Sequence, residues 1–89
     1  SRMPHELPLQ GQQVRIGRSP AQSDIAFEND ITMSRLHAVM LLEGGHYRLY
    51  DQQSTSGTFV NDQPVQDYGT QLRDGDEIHF GAVHCRYRQ

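Results

Sequence analysis

Four polar stretches carry the side chains that could do chemistry. They are Gly17-Arg18-Ser19, Ser34-Arg35-Leu36-His37, Ser54 through Asn61, and Leu72 through Ile78. Arg18 and Arg35 supply guanidinium groups, planar forks of donors suited to an anion with several oxygens. Ser34, Thr55 and Ser56 add hydroxyl donors on short side chains. Each stretch lies between apolar runs, where binding groups tend to be mounted. A hydrolase reading would take Ser34, His37 and Asp51 as nucleophile, base and orienting acid. It fails on setting, because Ser34 lacks the strand–elbow–helix context of Gly-x-Ser-x-Gly. A chain this small also offers little depth for a water-excluded site. No catalytic residue is expected, and the chain does not read as an enzyme.

Two further groups are candidates for reactivity or metal binding. His79 and His84 flank Gly81 and face each other across an expected hairpin, on its outer face. No Cys or carboxylate accompanies them at a familiar ligand spacing, so neither a metal nor a cofactor is expected. Cys85 shares a face with Val83 and Tyr87, the pattern of a small buried hydrophobe and not of an activated thiol.

The elements that position these residues read as strands. Val14 and Ile16 alternate with Gln13 and Arg15; Tyr47 and Leu49 alternate with His46, Arg48 and Tyr50. Ile78 and Phe80 alternate with Glu77 and His79, and Val83, Cys85 and Tyr87 with His84, Arg86 and Arg88. Period two is the signature of a strand with one buried face. In residues 38–43, Ala38, Met40 and Leu42 share one face and Val39 and Leu41 the other, as for a strand covered on both sides for part of its length. Glu43-Gly44-Gly45-His46 predicts a hairpin, since glycine tolerates the positive φ of tight turns. Asp74-Gly75-Asp76 and Gly81-Ala82 also predict turns. Many short strands with turn residues between them predict an all-β sandwich.

The chain has 89 residues and a formal charge of −3, room for one small domain without a broad basic surface. Neither a nucleic acid nor a membrane is expected as partner. No apolar run approaches the length of a membrane span. The single cysteine allows no internal disulfide, which fits a reducing compartment and makes a cytoplasmic location the expectation. One domain is expected over 1–89, with an ordered core of about 5–88, monomeric in isolation. Ser1 to Met3 are expected to be loose, and a start at Ser1 instead of Met reads as a piece of a longer protein.

The motifs together resemble the forkhead-associated family. Its pattern is Gly-Arg, then Ser-x-x-His, then Ser-x-Asn-Gly-Thr with a following Val-Asn, then Gly-Asp before a strand. This chain has Gly17-Arg18, Ser34-x-x-His37, Ser54-x-Ser56-Gly57-Thr58 with Val60-Asn61, and Gly75-Asp76, over about Val14 to Tyr87. The resemblance implies a sandwich of two antiparallel sheets with ligand-binding loops at one end. It implies a phosphothreonine-containing protein or peptide as partner. Arg18 and Ser34 would contact the phosphate, with Arg35 and Thr55 in neighbouring positions and Ser56 beside the ligand's backbone. His37 would support the loops from behind, helped by Gly17, Gly57 and Asn61. Asn61 and Asp76 would satisfy loop backbone groups. Selectivity along the peptide would fall to variable loops, here Thr32 and the segment Gln63 to Thr70. Ser56 stands where the family usually has Asn. That departure supports the alternative, a phosphate-independent scaffold on the same fold.

Overall fold

A computed structural model describes residues 5–89, and the expectation for Ser1 to Met3 lies outside the described residues. Among the described residues ten strands follow one another: β1 (His5–Glu6), β2 (Gln13–Gly17), β3 (Ile25–Ala26), β4 (Ala38–Glu43), β5 (His46–Asp51), β6 (Thr58–Val60), β7 (Gln63–Pro64), β8 (Thr70–Gln71), β9 (Glu77–Phe80) and β10 (Val83–Arg86). Among the described residues there is no helix. One sheet has the order β1-β10-β9-β6-β7 and the other β3-β2-β4-β5-β8. The expected sandwich is present.

Each sheet is antiparallel except at one edge, which makes both sheets mixed. β1 runs parallel to β10, and β3 parallel to β2. Each of these edge strands is two residues long, too short for alternation to reveal.

The buried faces follow the sequence periods. Val14, Ile16, Ile78, Phe80, Val83, Cys85 and Tyr87 all enter the core. In β4, Ala38, Val39 and Met40 are all buried, so the start of that strand is covered on both faces. Glu43 pairs with His46 across the predicted hairpin, with Gly44 and Gly45 at φ 60° and 85°. His79 and His84 are cross-strand partners whose rings stack 4.4 Å apart and nearly parallel. Leu7, Met33 and Leu72 complete the core from loops.

The register brings the ends of several strands together. Ile16 pairs with Ala38, Ala38 with Asp51, and Thr58 with Phe80 at the β9–β10 turn. The loops that leave β2, enter β4, join β5 to β6 and join β9 to β10 therefore meet at one end of the sandwich.

Candidate functional site

Arg18 begins the loop after β2. Its backbone N–H donates to the Ser34 carbonyl at 2.9 Å, and the Ser19 N–H donates to the Arg35 carbonyl at 3.1 Å. The Arg18 Nε–H donates to the Met33 carbonyl at 3.1 Å. That bond aims the guanidinium along the Ser34 loop and leaves both terminal nitrogens without a partner among the described residues. Gly17 is required by crowding: a Cβ there would lie 2.2 Å from the Arg35 carbonyl oxygen. Ser23 Oγ donates to the same carbonyl at 3.0 Å.

His37 joins two loops from behind. It is fully buried. The Ser34 N–H donates to Nδ1 at 3.1 Å, so Nδ1 is unprotonated. Nε2 therefore carries the hydrogen and donates it to the Gly57 carbonyl at 2.8 Å. The ring packs edge-on against Phe80. Both nitrogens are spent inside the protein, so His37 offers nothing to a ligand.

Ser34 and Thr55 are tied directly. The Thr55 N–H donates to Ser34 Oγ at 3.1 Å. A hydroxyl that accepts there keeps its own hydrogen to donate elsewhere. Behind Thr55, Asp51 holds the loop. One carboxylate oxygen accepts from Ser54 Oγ at 2.5 Å and Thr58 Oγ1 at 2.6 Å, the other from the Ser54 N–H at 3.1 Å. Ser54 Oγ in turn accepts from the Gly57 N–H at 3.0 Å. Gly57 sits at φ 87°, which lets the loop turn sharply.

Ser56 is used internally. Its hydroxyl donates to the Thr32 carbonyl at 2.8 Å, leaving it only lone pairs for a ligand. Thr32 is a clamp between loops and not a free reader. Its N–H and hydroxyl both donate to the Asp30 carboxylate, and its hydroxyl accepts from the Ala82 N–H at 3.0 Å.

Asn61 stands apart from this cluster, which corrects its expected role in supporting the binding loops. An extended strand advances about 3.3 Å per residue, so β6 carries Asn61 to the opposite end of the sandwich. There its amide donates to Asp76 at 2.9 Å and accepts from the Glu77 N–H at 3.0 Å. Asp76 caps the same turn by accepting from the Arg73 N–H at 2.8 Å.

The charges single out the site end. All eight basic residues are arginine. Arg15 pairs with Asp24, Arg48 with Glu43, Arg86 with Glu77, and Arg88 with Glu6. Among the described residues Arg18, Arg35 and Arg73 have no carboxylate partner. Two of these three flank Ser34, and Arg35 is exposed. The assembly thus offers uncompensated guanidinium and hydroxyl donors on loops fixed from below, an arrangement suited to an oxyanion. No group of three or more His, Cys, Asp or Glu able to hold a metal occurs among the described residues.

Asp51 and Thr32 are loop anchors that the sequence motifs do not mark. Asp51 has a legible signal in hindsight, a carboxylate three residues before a serine, the spacing of a local side chain-to-backbone cap. Thr32 has none, because its partners Ala82 and Ser56 are remote in the chain.

The FHA domain family model matches residues 14–81. Over 65 residues the chain is 46% identical to the glycogen accumulation regulator GarA of Mycolicibacterium smegmatis, an alignment covering 73% of this chain and 39% of that protein. The chain thus spans well under half the length of that relative. A structure solved in a study of phosphothreonine-dependent FHA domain interactions matches with a TM-score of 0.82 and 34% identity, over 91% of this chain and 80% of that one. The N-terminal FHA domain of Rad53p from S. cerevisiae, in complex with a phosphothreonine peptide, matches with a TM-score of 0.70 and 37% identity, over 80% of this chain and 57% of that one.

Proposed function

The chain belongs to the forkhead-associated family, and from that premise we propose that it is a non-catalytic reader of phosphothreonine peptides in Ser/Thr-kinase-dependent signalling or assembly. The observation that carries this reading is the joining of Arg18, Ser34 and Thr55. They come from three loops, are tied to one another, and present donors that no carboxylate of the described residues occupies. A phosphate brings about −1.5 to −2 charges and three acceptor oxygens to such a site. In this reading the Arg18 terminal nitrogens and the Ser34 hydroxyl hydrogen meet the phosphate. Thr55 and Arg35 close over it, and His37 and Asp51 hold the loops. Ser56 contributes a weaker contact to the peptide backbone than an Asn would.

The test is titration of one peptide in phosphothreonine, phosphoserine and unphosphorylated forms. Phosphothreonine should bind roughly 5- to 100-fold tighter than phosphoserine, because only the threonine methyl differs and burial of a methyl with its packing is worth about 1–3 kcal/mol. Arg18→Ala should cost about 2–5 kcal/mol of binding, the usual loss when one partner of such a charged pair is removed. The fold should survive. Near-normal affinity in Arg18→Ala overturns the assignment of Arg18. A natural partner whose binding survives phosphatase treatment favours the phosphate-independent scaffold, the reading that Ser56 supports.

A further inference from the structure

Asp30 puts a carboxylate in the loop that leads to Ser34, at the end of the sandwich suited to an anion. It lies four residues before Ser34, and no arginine or histidine pairs with it among the described residues. By charge alone it opposes a phosphate bound nearby. Its hydrogen bonds give it the opposite effect.

Asp30 builds the turn that ends at Met33. Its carbonyl accepts the Met33 N–H at 3.3 Å. Its carboxylate accepts the Thr32 N–H at 2.9 Å and the Thr32 hydroxyl. A short acidic side chain that accepts from the backbone two residues on is a local turn-forming device. Thr32 is braced from outside by the Ala82 N–H at 3.0 Å and by the Ser56 hydroxyl at 2.8 Å. The Met33 side chain is buried in the core. The backbone that leads into the Met33–Ser34 peptide is thus fixed without help from a ligand.

That peptide sets the aim of Arg18. A trans peptide points its carbonyl and its N–H in opposite directions. Here the Ser34 N–H faces His37 Nδ1 at 3.1 Å, and the Met33 carbonyl faces the Arg18 Nε–H at 3.1 Å. Guanidinium is planar, so one bond at Nε sets the direction of both terminal nitrogens. A long side chain that is already fixed loses less conformational freedom when it binds.

We infer that Asp30 is a positioning residue for Arg18. Its carboxylate, repulsive to phosphate by charge, strengthens anion binding by placing the Met33 carbonyl that aims the guanidinium. That role rests on the phosphothreonine reading for its ligand and on the hydrogen bonds alone for its geometry.

Two substitutions separate charge from geometry. Asp30→Asn removes the charge and keeps an oxygen at the same reach for the Thr32 N–H. Asp30→Glu keeps the charge and moves the acceptor one methylene away. Both are made in the wild-type chain and in Arg18→Lys, because lysine is cationic but has no Nε–H for the Met33 carbonyl. All are titrated at fixed salt with one phosphothreonine peptide and its unphosphorylated form. Asp30→Asn should bind as tightly as wild type or tighter. Asp30→Glu should bind about 5- to 30-fold weaker, as for the loss of part of a charged hydrogen bond. In Arg18→Lys the same glutamate should cost less than about 2-fold, since the coupling it breaks is already gone.

The NMR signal of the Arg18 Nε–H reads the aim without any ligand. It should be resolved and slow to exchange in wild type and Asp30→Asn, and broadened by exchange with water in Asp30→Glu. Asp30 is partly exposed, so both variants should fold. Thr32→Val, which loses the hydroxyl bonds to Asp30 and Ala82, should move the signal in the same direction as Asp30→Glu. Tighter binding by Asp30→Asn together with unchanged binding by Asp30→Glu is a charge effect and overturns the inference. A glutamate penalty that persists in Arg18→Lys overturns it too, as does an Nε–H signal that Asp30→Glu leaves untouched; each of these leaves the phosphothreonine reading intact. Equal binding of the phosphorylated and unphosphorylated peptides by wild type overturns the phosphothreonine reading and the gain in anion binding, while the Nε–H signal still decides whether Asp30 aims Arg18.

Discussion

Replacing His37 by alanine should lower stability far more than its single ring suggests. The ring accepts the Ser34 N–H and donates to the Gly57 carbonyl from a fully buried position. Alanine leaves both backbone groups unpaired, at about 1–3 kcal/mol each. It also removes the edge-on contact with Phe80, worth about 0.5–1.5 kcal/mol. The sum is about 2.5–7.5 kcal/mol, and water entering the vacated space moves the result toward the lower bound. A domain of this size has about 5–15 kcal/mol in total. At about 4–8 °C per kcal/mol, the melting temperature should fall by at least about 10 °C. Circular dichroism melts and urea titrations of both proteins measure it. Phosphopeptide affinity, taken at a temperature where the mutant is still folded, should fall as well, because Ser34 and Gly57 lose their common anchor. A melting temperature within about 3 °C of wild type, with binding alone impaired, would refute the reasoning and make His37 a ligand contact.

Three further outcomes follow from particular contacts. Ser56→Asn should tighten phosphopeptide binding by about 0.5–1.5 kcal/mol, since an amide can donate to the Thr32 carbonyl and still reach the peptide; calorimetry showing equal or weaker binding would count against it. Cys85 is buried, and burial pushes its thiol up to about 12, so iodoacetamide at pH 8 should leave the native protein unmodified and label it in urea. The Arg86 hydrogen bond, with a smaller contribution from His84, holds the Glu77 carboxyl below its usual range despite desolvation. A lowered folded value means that the unfolded chain binds more protons, so this contribution is present above the unfolded value of about 4.3 and is lost as pH falls through the folded one. Thermal melts of Glu77→Gln should therefore lie below wild type at pH 7 and converge with it in acid; a gap that is constant with pH would refute the linkage.

Strands of four or more residues were legible because one face of each is buried. Ile78 and Phe80 point inward while Glu77 and His79 point out, and period two needs only a few residues to show that. β6 escaped, because its three residues begin immediately after the Gly57 turn and belong visually to a polar motif. Leu7, Met33 and Leu72 escaped too: each is buried from a loop, outside any run long enough to show a period.

The site was legible in part for a different reason. Residues that face a ligand must be polar and sit where strands end, and the turn glycines mark those ends. That logic finds the polar stretches, the family resemblance picks out Arg18, Ser34 and Thr55 within them, and the structure ties these three together. It cannot separate a hydroxyl aimed at a ligand from one consumed inside the protein. Ser34 and Ser56 look alike in the sequence. In the structure the Ser34 oxygen accepts a backbone N–H and keeps its hydrogen, while the Ser56 hydrogen is given to the Thr32 carbonyl. The difference depends on which remote backbone group lies within 3 Å, and that is settled by how the loops at both sheet ends pack. For the same reason Asn61, four residues from Gly57, reads as a neighbour of the site and is carried away from it by one short extended strand.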